Sequence, residues 1–141
     1  MIVLDTDMLT LVQRRAGPEY DRLASRLDRS PDQDVRVSIA SFEEQVRGWL
    51  ALIVRARTTV RLIDAYSRLG ALLADSGTRP VIEFDRLAYA EYVQLLKSKI
   101  RIGTMDLRIA AVSLANDALL LSRNLRDFSR VPGLRVEDWT S

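Results

Sequence analysis

Neither cysteine nor histidine occurs anywhere in the chain. Without cysteine there is no disulfide, no thiolate nucleophile and no cysteine-ligated zinc site. Without histidine the usual general base is missing, as are the Ser-His-Asp arrangement and most transition-metal ligand sets. Long apolar runs are absent too. The longest, WLALIV from Trp49 to Val54, is closed by Arg55 and is far shorter than the roughly 20 residues of a bilayer span. Asp5 and Asp7 stand where a secretion signal would carry basic residues and then a long apolar stretch. The expected setting is therefore soluble and cytoplasmic, with no membrane partner.

What remains is a chain with 48% hydrophobic residues, a globular composition. Its 141 residues suit one domain, 1–141, with one core. Repeats, low-complexity segments and Pro/Gly linkers are not seen. The formal charge is +2, and of the 21 basic residues only Lys97 and Lys99 are lysine. Arginine matches phosphate oxygens two at a time and stacks on bases, so the composition permits a nucleic-acid partner. A compositional bias toward arginine accounts for it equally well. With imidazole and thiolate excluded, any catalysis rests on carboxylates, and carboxylates suit hard cations such as Mg²⁺ or Mn²⁺.

Strand and helix signals alternate along the chain. Strands are expected at 2–4, 35–38, 81–84, 118–122 and, at an edge, 134–138. Helices are expected at 7–15, from Pro18 to about residue 30, and at 41–56, 59–74, 85–99 and 105–116, with a further turn after Ser122. Ser41 and Glu44 form an S-x-x-E pattern that predicts a capping box. Asp85 and Thr104 are predicted caps of their helices. Ile63, Tyr66, Leu69 and Leu73 share a helix face that predicts burial, as do Trp49, Leu50 and Ile53. The alternation predicts an α/β fold: a central parallel sheet of four to five strands with helices on both faces, the short apolar first strand in the middle.

In such a sheet, ligands bind outside the carboxyl ends of the strands, near the point where strand order reverses. Asp5 follows the first strand, Glu44 opens the helix after the second, and Asp106 opens the helix before the fourth. Ser122, Asn124 and Asp127 follow the fourth strand. All lie on one edge. Each has a structural role open to it: Asp5 or Asp7 as a cap, Glu44 as part of its capping box, Asp106 and Asp127 as first-turn acids. A common purpose explains why they converge. Clustered carboxylates repel, and a divalent cation relieves that repulsion.

The segments MIVLDTD, SIASFEEQVRG and IGTMDLRIAAVSLANDALLLSRNLRDFSRVPGLRVEDW resemble PIN-domain ribonucleases, and within them the VapC-type toxins of toxin–antitoxin pairs. The resemblance implies a PIN-like three-layer fold and a metal-dependent endoribonuclease. It places the first acid on Asp5. The second falls on Glu44, four residues before Gly48 in an E-x-x-x-G pattern, and the third on Asp106. The fourth position departs from the common T-x-D, since Ser122-Arg123-Asn124 stands there. Asn124 to Phe128 fits the toxin-type N-x-x-D-F instead, which makes Asp127 the fourth acid. The expected site is thus Asp5 and Asp106 on the ion, with Glu44 directly or through water, and Asp127 beside them. Thr6, Ser122 and Asn124 position ligands or water by hydrogen bonds. Water activated by the ion attacks the phosphodiester, leaving 5′-phosphate and 3′-hydroxyl ends. Arg123, Arg126 and Arg130 are candidate RNA contacts beside the site, and Arg55, Arg57, Arg61 and Arg68 form a second basic group. The implied partners are RNA, a small antitoxin and a second copy of the chain. Two other classes stand as alternatives: a catalytically inactive RNA-binding or interaction module, and a D-x-D phosphatase. The second lacks a suitably placed lysine.

Overall fold

The computed structural model describes residues 1–141. Five strands, β1 (Ile2–Leu4), β2 (Val35–Ser38), β3 (Val81–Ile82), β4 (Leu119–Leu121) and β5 (Arg135–Glu137), form one sheet in the order β3-β2-β1-β4-β5. Every pairing is parallel; Ile2 lies beside Val35 on one side and Leu119 on the other. The expected α/β fold with a central parallel sheet is present, and β1 is its middle strand.

Seven helices connect the strands: α1 (Thr6–Arg14), α2 (Pro18–Arg29), α3 (Ile39–Arg55), α4 (Thr59–Asp75), α5 (Arg86–Lys97), α6 (Thr104–Ala115) and the short α7 (Leu125–Phe128). Strand pleating sends alternate side chains to opposite faces. Val3 and Leu120 accordingly join a core with Ile109, Ala110 and Phe128, packed under α5 and α6. Ile2, Leu4 and Leu121 join a smaller core with Met8, Leu23 and Trp139, under α1 and α2. Between α1 and α2, Gly17 takes a φ of 97° that side-chain-bearing residues rarely adopt. Pro18 then opens α2, where a missing N–H costs nothing.

Several local expectations need correction. The Ser41–Glu44 capping box does not form, because α3 begins earlier: Ser38 is the cap, its Oγ accepting from the Ala40 N–H at 3.0 Å. Ser41 lies inside the helix, fully buried, with its hydroxyl unpartnered. Thr104 is a helical residue rather than a cap; Gly103 precedes α6 without a side-chain bond. Asp85 caps α5 as expected, accepting from the Ala88 N–H at 3.0 Å. β3 is only two residues long, since its one neighbour, β2, ends at Ser38. The apolar face foreseen on α4 is not core: Ile63 and Tyr66 are exposed, and α4 buries Ala65 and Leu72 instead. Trp49 and Ile53 are half-buried and Leu50 is exposed. No helix is long and apolar enough to cross a membrane.

Candidate active site

Strand order reverses at β1: the chain moves from β1 out to β2 and β3, then returns to β4 on the other side. The crevice at the carboxyl ends of β1 and β4 is therefore the switch point. β1 delivers Asp5 there and β4 delivers Ser122. Asp5 is both the residue after the strand and the cap of α1, its Oδ1 accepting from the Thr6 N–H at 2.8 Å. Its Oδ2 accepts from the Ser122 hydroxyl at 2.7 Å, and Ser122 Oγ in turn accepts from the Asn124 N–H at 2.9 Å. A buried carboxylate is thus held by two strand ends at once.

Burial pushes the Asp5 carboxyl up to about 7, with Asp7 and Asp106 adding repulsion and the Ser122 hydrogen bond opposing the shift. Asp106, in the first turn of α6, is pushed up to about 6, first by burial, then by the charges of Glu44, Asp127 and Asp7. The named acids therefore feel one another, although they come from four separate segments. Asn124 caps α7, accepting from the Asp127 N–H at 3.4 Å. Its side-chain amide donates to Asp127 Oδ2 at 3.1 Å and to Asp106 Oδ2 at 3.4 Å. One neutral amide thereby ties together two carboxylates that repel.

Asp5, Glu44, Asp106, Asp127, Ser122 and Asn124 all reach this edge. Glu44 does so from the second turn of α3 rather than the first. Thr6 contributes its backbone N–H to Asp5, while its buried hydroxyl has no partner. Asp7 lies outside the expected set, yet its charge bears on both Asp5 and Asp106. Its Oδ2 accepts from the Arg123 N–H at 3.1 Å and from the Arg123 side chain at 3.3 Å, and its buried Oδ1 is unpartnered. The sequence signal was its position two residues after Asp5, one turn-step along the same helix start. Arg123 is occupied: it also pairs with Glu19 at 2.6 Å. Arg130 donates to the Arg101 carbonyl at 3.1 Å. Arg126 is exposed and is the one of the three whose side chain makes no hydrogen bond or ion pair with the protein.

A bound ion has to suit these residues. They offer oxygen donors only, and their mutual repulsion is what a cation would relieve. No three carboxylates stand close enough to form a ready cage. Mg²⁺ needs only one or two direct carboxylates, with water completing the shell. The donor set fits a hard divalent cation on those terms.

The architecture is a PIN-like α/β fold with an acidic crevice at its switch point. No protein-family model matches the chain. Its fold is that of VapC-type proteins: a chain of VapBC from Salmonella typhimurium superposes with a TM-score of 0.70, at 22% identity over 98% of this chain and 97% of that one. A chain of VapBC-1 from nontypeable Haemophilus influenzae gives 0.69, at 23% identity over 100% of both. In sequence, the chain is 38% identical over 55 residues to Ribonuclease VapC1 of Haemophilus influenzae (strain R2866). That match spans 38% of this chain and 41% of the relative. The likeness to VapC-type PIN domains drawn from the sequence is borne out.

Proposed function

We propose that the chain is a divalent-metal-dependent endoribonuclease and the toxin of a type II toxin–antitoxin pair. The observation that carries this reading is the pair Asp5 and Asp106, two carboxyls with raised pKa facing one switch-point crevice in a fold shared with VapC-type proteins. These two residues would hold Mg²⁺ or Mn²⁺, with Glu44 completing the pocket directly or through water. When bound, the ion offsets charge on the phosphoryl oxygens and makes water easier to deprotonate.

The chain's own groups do the positioning. Ser122 and the Thr6 N–H fix both oxygens of Asp5, so its carboxylate keeps one orientation. Asn124 holds Asp106 and Asp127 at a set separation. Asp127 would orient water beside Asp5 and Asp106. Arg126 supplies a free cation for an RNA phosphate. With no imidazole in the chain, attack by water is favoured over attack by the RNA 2′-hydroxyl, giving 5′-phosphate and 3′-hydroxyl ends.

The partners follow the same reading: an RNA substrate, a cognate small antitoxin and a second copy of the chain. Val54 and Leu73 stand 85% and 73% exposed on the outer helices. Such apolar surface supports cover by another protein.

RNA cleavage with and without metal tests the proposal. EDTA should abolish cleavage and Mn²⁺ should restore it. Asp106→Asn should lower the rate at least ~100-fold, about 2.7 kcal/mol of barrier. Asp127→Asn, which leaves the two principal carboxylates intact, should cost roughly 10-fold, about 1.4 kcal/mol. Full cleavage by Asp106→Asn in excess EDTA would sink the metal mechanism.

A further inference from the structure

A cavity of about 650 Å³ lies not over the acids but beside them. That is within the about 300–1,000 Å³ typical of small-molecule sites. Three helices each turn one face toward it: Thr10 and Gln13 from α1, Gln45 and Trp49 from α3, and Arg68 and Asp75 from α4. It meets the candidate active site at Thr6, whose N–H binds Asp5.

Its polar floor has a defined hydrogen-bond character. Asp75, paired with Arg79, only accepts, so Gln13 turns its amide nitrogen toward it, at 3.0 Å. The same nitrogen donates to Gln45 Oε1 at 3.2 Å. Gln45 returns a bond to Gln13 Oε1 at 2.8 Å and donates its second hydrogen to Thr10 Oγ1 at 3.3 Å. Both amides have spent their hydrogens. What the two amides and Asp75 offer a ligand is acceptors: the second lone pairs of the amide oxygens, and Asp75 Oδ1, whose own partner is a Thr78 hydroxyl 3.5 Å away. The one buried donor left unspent on the lining is the Thr6 hydroxyl, where the cavity meets the acids. One wall is the Trp49 indole, with the Arg68 guanidinium 5.5 Å from its ring centre. Arg14 and Arg68 stand at the rim, Arg68 paired with Asp64 at 3.3 Å.

We propose that this cavity is a base-recognition subsite that seats an unpaired guanine of the RNA beside the scissile phosphate. The inference rests on the ribonuclease reading above. Bases of single-stranded RNA are recognised by stacking on aromatic and arginine planes and by hydrogen bonds to their edges. Guanine presents two adjacent donors, N1–H and the 2-amino group, to an acceptor floor. Adenine and cytosine present one amino group beside an acceptor, and uracil a single N–H between two acceptors. Arg14 at the rim favours the flanking phosphates.

The test is fluorescence anisotropy of labelled pentaribonucleotides, uridines with one central G, A, C or U, binding the full chain in EDTA, where cleavage is not required. The G oligonucleotide should bind about 10-fold tighter than the others. Asp75→Asn and Trp49→Ala should erase that preference, and Trp49→Phe, which keeps a stacking face, should retain most of it. Melting curves establish that each variant is folded. Equal affinity for the four bases, or a preference that survives both Asp75→Asn and Trp49→Ala in folded protein, overturns the proposal. So does quenching of Trp49, in a Trp139→Phe background, by an arginine-rich peptide but by none of the oligonucleotides, which would assign the cavity to a protein partner. Guanine preference without cleavage in Mn²⁺ defeats only the ribonuclease reading; cleavage without preference defeats only the subsite.

Discussion

α6 and α4 are both rich in apolar residues, and they meet opposite surroundings. In α6, Leu107, Ile109, Ala110, Ala111 and Val112 are all buried. In the longer α4 only Ala65 and Leu72 are, while Val60, Ile63 and Leu73 are 78%, 63% and 73% exposed. α6 lies between the sheet and α5, so nearly every direction is filled. α4 leans mainly on α3, so one narrow stripe is covered. The difference teaches that burial here follows the layering of the fold rather than the hydrophobicity of a helix. Asp5, Asp106 and Asp127 of the acidic crevice are held on the packed half, and Glu44 reaches them from α3. The α3–α4 half carries the apolar surface and the large cavity, which suits contact with other molecules.

The largest expected effect separates the two helices directly. Ile109→Ala removes a fully buried side chain and should cost about 2–5 kcal/mol. Ile63→Ala should stay within about 0.5 kcal/mol. Urea denaturation at low protein concentration measures both. A comparable loss from the two would mean that the α4 face is covered in solution and that the contrast belongs to the isolated chain only.

A smaller effect probes the packed half through pH. The Asp5 carboxyl ordinarily titrates at 3.8 and is pushed up to about 7 by burial. Between those values the folded chain keeps a proton that the unfolded chain has released. This group's contribution to stability is therefore full below about pH 4 and is lost as the pH rises through about 7. Asp106, raised to about 6 chiefly by burial, acts in the same sense. Metal-free protein should melt several degrees lower at about pH 8 than at about pH 5. Asp5→Asn should flatten that slope. Mn²⁺ should raise the melting temperature most at the upper end, because it needs the ionised carboxylates. An unchanged slope in Asp5→Asn would show that the strand end does not hold a reluctant acid.

The sheet and its acidic edge were legible in the chain because they rest on local signals. An apolar run ending in Asp5 announces a central strand, and the β/α alternation then commits Glu44, Asp106 and Ser122 to the same edge. Asp127 as a first-turn acid of α7 was equally readable, since it needs only neighbouring residues. The errors arose where the answer depends on what lies across space. Ser41 looks like a cap until Ser38, at the end of β2, takes the role three residues earlier. The apolar stripe of Ile63, Tyr66 and Leu73 has core periodicity, but no layer exists outside it. Arg123 reads as a free cation, and only the fold brings Asp7 and Glu19 to it. The cavity was the least visible feature, because its floor joins Gln13, Gln45 and Asp75 from three helices.

The smallest effect returns to the exposed half. Gly70 lies in the middle of α4, and a Cβ added there meets nothing within 4 Å. Alanine restricts the unfolded chain and favours the helix, so Gly70→Ala should stabilise an uncovered α4 by about 0.5–1 kcal/mol. A partner pressed against this stretch of helix would reverse the balance, since the new methyl would intrude on the contact. Melting the variant and the parent protein over a range of concentrations distinguishes the two conditions. A constant gain at every concentration would place Gly70 outside any interface between copies of the chain. A gain that shrinks or changes sign as the concentration rises would put α4 at the centre of that interface, with Ile63, Tyr66 and Leu73 as the residues it covers.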